Sequence, residues 1–117
     1  MMIAVIFEVI PTAEGKAEYL SIAAELKEQL ATLPGFISVE RFQSLADPNK
    51  ILSLSFWQDE ASIEHWRNLE EHRIAQAKGR GNLFNDYRIR VGTIARDYAK
   101  AERAQAPADS RSVHTEE

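Results

Sequence analysis

Both tryptophans of the chain, Trp57 and Trp66, and two of its three histidines, His65 and His72, fall in one stretch of the sequence between residues 57 and 80. Tryptophan supplies a large flat ring for packing against an aromatic ligand. Histidine is the side chain whose ordinary pKa, about 6.5, suits proton transfer near neutral pH. His72 is therefore a candidate general base and Trp66 a candidate ring-binding wall, with Arg73 and Arg80 positioned in sequence to stabilise an anion. Each has a plainer alternative: a tryptophan on the inner face of a helix is often core, His72 in Glu71-His72-Arg73 reads equally as exposed, and helix arginines are usually solvated. Glu8 is the other candidate, a carboxylate on an otherwise apolar strand, where it requires a partner or a wet cavity. It is suited to act as a base or to bind a hydroxyl, or else to pair with Arg41, Arg88 or Arg90.

Other chemistries lack their residues. The chain has no cysteine, which excludes disulfides, thiolate metal sites and cysteine nucleophiles. His65 and His72 are seven apart with no i, i+4 histidine or carboxylate completing a metal set, so no metal is expected. His114 lies in a polar tail. Gly79-Arg80-Gly81 lacks the third glycine and the preceding strand of a dinucleotide fingerprint, and no serine elbow or phosphate loop is present. A net charge of −4 leaves no basic footprint for nucleic acid. The apolar start, Met1 to Ile10, ends at Pro11 without a cationic flank and reads as a strand rather than a signal peptide or membrane span. The lack of cysteine fits a reducing cytoplasm, and a cytoplasmic protein is the expectation.

The elements that position the candidates follow from periodicity. Ile3 to Ile10 is apolar on both faces except at Glu8. Thr12 is a plausible N-cap for a helix from Ala13 to Leu33, whose Tyr19, Ile22, Leu26, Leu30 and Leu33 share one side, with Pro34-Gly35 stopping it. Phe36 to Gln43, the turn Ala46-Asp47-Pro48-Asn49-Lys50 and the strand to Trp57 form a hairpin. In that second hairpin strand Leu52, Leu54 and Phe56 alternate with Ser53, Ser55 and Trp57. Asp59 is an N-cap for a helix from Glu60, and Asn68 with Glu71 reads as a second capping box, predicting two shorter helices bent near Asn68 and closed by Gly79. Leu83 to Ala95 is a last strand.

Strand, helix, strand, strand, helix, strand is the split βαβ order of an α+β ferredoxin-like fold, an antiparallel sheet with both helices on one face. Either parity of the first strand is mostly apolar, so the sheet face away from the helices would expose apolar surface. A homodimer with the two sheets face to face is the expected remedy. The domain spans 1–98, and 99–117 is a polar tail, read as flexible from its composition.

Taken in order, Pro11-Thr12-Ala13-Glu14-Gly15, Leu33-Pro34-Gly35-Phe36, Ser55-Phe56-Trp57-Gln58-Asp59-Glu60, Trp66, Glu71-His72-Arg73-Ile74-Ala75-Gln76 and Asp86-Tyr87-Arg88-Ile89-Arg90-Val91 resemble the antibiotic biosynthesis monooxygenase family of the dimeric α/β barrel superfamily, over about residues 3–98. The resemblance implies a dimer with one pocket per subunit, between the sheet and the segment around Trp66. It also implies oxygenase chemistry on small phenols or hydroquinones with no cofactor. Haem-degrading relatives carry an Asn, a Trp and a His where this chain has Glu8, Trp66 and Gln76, so the axial ligand is missing and haem degradation is not expected. Residue chemistry and resemblance together leave His72 and Glu8 as catalytic candidates and Trp66, Arg73 and Gln76 as substrate-binding ones. The alternative it leaves open is a dimeric small-molecule binding or sensing domain without chemistry.

Overall fold

In the computed structural model, residues 2–78 and 83–109 are described, with the side chains of 70–78 outside that description. The elements are β1 (Ile3–Pro11), α1 (Lys16–Leu30), β2 (Phe36–Gln43), β3 (Ile51–Trp57), α2 (Glu60–Lys78) and β4 (Phe84–Thr93). They form one antiparallel four-stranded sheet in the order β2-β3-β1-β4. This is the ferredoxin-like α+β architecture.

Register sorts the sheet into two faces, because directly paired residues point the same way. Toward the helices, one row across the sheet is Arg41, Ser53, Phe7 and Ile89, and the next is Val39, Ser55, Val5 and Val91. On the other face the rows are Phe42, Leu52, Glu8 and Arg88, then Glu40, Leu54, Ile6 and Arg90. The pattern of β3 is the reverse of an ordinary two-layer protein. Its serines and Trp57 face the helices and are buried, while Leu52, Leu54 and Phe56 face away and stay partly exposed.

Three apolar clusters fill the space beneath the helices. Ile3, Val5, Leu30, Trp57, Ile63 and Trp66 form the first, Phe7, Val9, Tyr19 and Ile51 the second, and Ile22, Leu26 and Leu83 the third. The small side chain at Ser55 is compensated by Trp57, whose indole Nε1 donates to Ser55 Oγ at 2.9 Å. Phe36 packs edge-on against the same indole, with ring centroids 5.3 Å apart.

Two helix boundaries differ from the sequence expectation. Helix α1 starts at Lys16, not Ala13, because Thr12 closes a turn of its own. Its carbonyl accepts from the N–H groups of Gly15 and Lys16, and its Oγ1 accepts from Gly15 N at 2.8 Å. The helix ends at Leu30 rather than Leu33, since Thr32 N and Leu33 N already bond to the carbonyls of Gln29 and Leu30 in tighter turns. Gly35 then takes φ 80°, the left-handed conformation that glycine adopts without steric cost, in close contact with Ser62. Helix α2 runs unbroken through Asn68, so the predicted pair of bent helices is one helix. Asn68 is exposed. An exposed asparagine inside a helix costs a few tenths of a kcal/mol in propensity, too little to break it.

Asp59 does cap α2. Its Oδ1 accepts from Ser62 Oγ at 2.7 Å and from Ser62 N at 2.9 Å. These bonds, the hydroxyl's first, hold the Asp59 carboxyl below its ordinary value of 3.8. A carboxylate with a lowered folded pKa stabilises the fold fully above the unfolded value and loses that contribution as pH falls through the folded one. A carboxyl-carbon NMR titration is expected to give Asp59 a midpoint below 3.8. A midpoint at or above it would contradict the cap.

Beyond β4, Ile94 N donates to Met2 O at 2.9 Å, and residues 97–106 fold on themselves, with Asp97 N bonded to Gln105 Oε1 at 2.8 Å. Ala106 is buried. Among the described residues no helix is long and apolar enough to cross a membrane.

Candidate functional site

The helix-facing surface of the sheet holds a cavity where the second and third clusters meet. Its apolar lining is Phe7 from β1, Ile22, Ala23 and Leu26 from α1, and Leu83 before β4. Its polar lining is Arg41 on β2, Ser53 on β3 and Tyr19 on α1. The reason for the space is local. Ser53 is small, and no neighbouring indole folds over it as Trp57 does over Ser55. The enclosed volume is about 10 Å³, the scale of one water, within a cleft of about 320 Å³ counted out to solvent.

The margin of this cavity is tied down. Leu83 O accepts from Thr12 N at 2.8 Å, and Gly15 lies so close that an added Cβ would sit 2.7 Å from Leu83 O. The end of β1, the start of α1 and the entry to β4 are thereby fixed to one another. Tyr19 and Phe84 pack edge-on at 5.4 Å between ring centroids, and Phe84 meets Phe7 at 6.1 Å.

Arg41 is the unusual member. It shares a cross-strand row with Ser53 and Phe7, and its Nε is buried without a hydrogen-bond partner. The sequence suggested Arg41 as a possible partner of Glu8, and the structure separates them: they lie on opposite faces of the sheet, with β3 between their strands. Glu8 pairs instead with Arg90, at 3.5 Å, across the β1–β4 register. It also borders a separate, more open cleft, about 410 Å³ counted out to solvent, with Lys50, Asp86 and Arg88.

Of the residues singled out from sequence, Trp66 and Glu8 are not brought together, since Trp66 lies beneath the helices and Glu8 on the other face. Trp66 is 7% exposed, in the first cluster, with its ring 6.4 Å from that of Trp57. It does not line the cavity beneath α1. His65 is exposed. The side chains of His72, Arg73 and Gln76 lie outside the described residues, as do Gly79, Arg80 and His114. Among the described residues no group of three or more His, Asp or Glu is arranged to hold a metal ion. Sequence reading missed Arg41, Ser53 and Tyr19 as cavity residues. The available signal was the polar parity of β2 and β3, where Arg41 and Ser53 share the face of Val39 and Trp57.

Trp66→Phe is expected to lower the denaturant midpoint, because the smaller ring leaves a void among Ile3, Val5 and Ile63. Ligand affinity per folded molecule should then stay within about twofold. An unchanged midpoint with affinity reduced about 2- to 12-fold would instead make Trp66 a binding wall.

The fold places the protein among known ferredoxin-like α+β structures. Rv0793 of Mycobacterium tuberculosis superimposes with a TM-score of 0.70 at 11% identity, covering 85% of this chain and 100% of that one. SnoaB of Streptomyces nogalater, a cofactor-independent oxygenase, does so with a TM-score of 0.63 at 16% identity, covering 82% and 95%. Sequence comparison goes further. The antibiotic biosynthesis monooxygenase family model matches residues 2–78. The chain is 34% identical to YqjZ of Bacillus subtilis over 93 residues, 80% of this chain and 79% of that protein. It is 47% identical over 93 residues to jasmonate monooxygenase ABM of Pyricularia oryzae, covering 80% of this chain and 43% of the relative, so it spans less than half of that protein's length. The chain belongs to the antibiotic biosynthesis monooxygenase family.

Proposed function

We propose that this protein is a cofactor-independent monooxygenase, a homodimer that oxidises a small aromatic phenol or hydroquinone. The observation that supports this best is a mostly apolar cavity on the helix-facing side of the sheet, in a chain of this family. The chemistry asks little of the protein. A phenol deprotonated to its anion gives an electron to dioxygen directly. Oxidising a phenol to a quinone puts one oxygen atom on the ring and releases the other as water, the substrate supplying all four electrons. What remains for the protein is to take the proton, hold the anion and exclude water. In this reading His72 takes the hydroxyl proton, Arg73 and Gln76 hold the anion, and Trp66, packed in the core, holds α2 against the sheet. Glu8, paired with Arg90 on the opposite face, takes no part.

Dimerisation fits the same reading, since among the described residues the face carrying Leu52, Leu54, Phe56 and Ile6 is left partly exposed. Chelator-treated protein incubated with a panel of phenols and hydroquinones should accelerate oxygen uptake above the buffer rate. Jasmonate, from the name of a relative, belongs in the binding arm of that panel. Ligand binding with no accelerated uptake would favour a binding or sensing domain instead.

A further inference from the structure

We infer that Arg41 is the anchor of an anion subsite beneath α1, and that this subsite takes the carboxylate of a small apolar organic acid. The inference rests on the cavity assigned above to substrate, and it names the class of ligand end that enters there. A guanidinium Nε is a donor with no capacity to accept, and burying it unpartnered forfeits its hydration without return. Arg41 Nε is in that condition. The side chain is nonetheless turned to the helix face, where Phe7, Ile22, Ala23 and Leu26 offer no acceptor side chain.

Among the described residues no carboxylate lines the cavity, and Arg41 is the one charged side chain there. Ser53, directly across from Arg41 in the β2–β3 register, lines the same cavity and adds a hydroxyl to it. A ligand oxyanion at this point would accept from Arg41 in the planar geometry that guanidinium offers carboxylates. The enclosed volume of about 10 Å³ suits the tip of such a ligand, and the apolar walls of the wider cleft suit the body behind it. A neutral polar end would leave the cation uncompensated. An inorganic anion would satisfy Arg41 but leave the apolar walls without a partner.

The test uses the full chain and four probes: octanoate, octanamide, inorganic phosphate and a panel hydroquinone. Calorimetry is expected to show octanoate binding about 10- to 100-fold tighter than octanamide, the range of a charge-assisted hydrogen bond. Phosphate should bind more weakly than octanoate. Arg41→Gln should abolish the preference for octanoate while leaving octanamide affinity unchanged. It should not lower the melting temperature, because the residue removed has an unpaired buried donor; Arg41→Lys keeps the charge and should retain part of the preference. Equal binding of octanoate and octanamide, equal loss of both in Arg41→Gln, or phosphate binding as tightly as octanoate would overturn the assignment. Hydroquinone oxidation in a protein without carboxylate preference would sink the subsite and leave the reaction standing. Carboxylate preference without oxygen uptake would do the reverse.

Discussion

Trp57→Ala is expected to destabilise the protein by about 3–5 kcal/mol, the cost of removing a large aromatic side chain from a close-packed interior. Trp57 is fully buried, its indole N–H satisfies Ser55, and its ring touches both Phe36 and Trp66. Truncation therefore empties the centre of the first cluster and leaves Ser55 Oγ without that donor. Domains of this size are stable by about 5–15 kcal/mol, so the variant loses a large share of its stability. Urea denaturation followed by circular dichroism should show a midpoint reduced in proportion, with the slope unchanged. A loss below about 1 kcal/mol would mean that the β3–α2 junction is not packed as described.

The second large effect is expected at assembly. Leu54→Asp puts a carboxylate at the middle of the sheet face that the helices leave open, between Ile6 and Glu40 in register. In a face-to-face dimer burying more than ~1,600 Å² of apolar surface, that charge is desolvated without a partner. The dissociation constant should rise at least ~100-fold, on the scale of about 3 kcal/mol for an uncompensated buried charge. Light scattering of the unmodified chain at micromolar concentration should return twice its 13.2 kDa mass. The variant should return the single mass while keeping its circular dichroism spectrum. An unmodified chain that is monomeric, or a variant that remains dimeric, would remove this face as the interface.

Much of the fold was legible because its signals are local. The Asp59 cap rests on a carboxylate three residues before a serine, and the strand order follows from two strand–helix units around a hairpin. The parity of β3 already set Leu52, Leu54 and Phe56 apart from Trp57. What was not legible depends on long-range geometry. Three cationic residues were available to Glu8: the β1–β4 register sets Arg88 directly opposite it, yet the ion pair forms diagonally with Arg90, and Arg41 is removed to the far face. The cavity arises from what is missing around Ser53, and a void has no sequence signature of its own. Trp66 had two readings from periodicity alone, and its 7% exposure places it in the core. The turn at Thr12 that delays α1 was hidden because a threonine before a helix reads first as its cap.

The reaction proposed for this chain transfers one oxygen atom of dioxygen to a small aromatic substrate without a cofactor. The direct measurement is mass spectrometry of the product after turnover under oxygen-18 gas, with chelated protein and a phenol from the uptake panel that carries a free para position. Monooxygenation predicts one heavy oxygen atom per product quinone and one in water, at a rate proportional to protein concentration. Product without label, label at the rate seen in buffer, or no product from a phenol that demonstrably binds would contradict it.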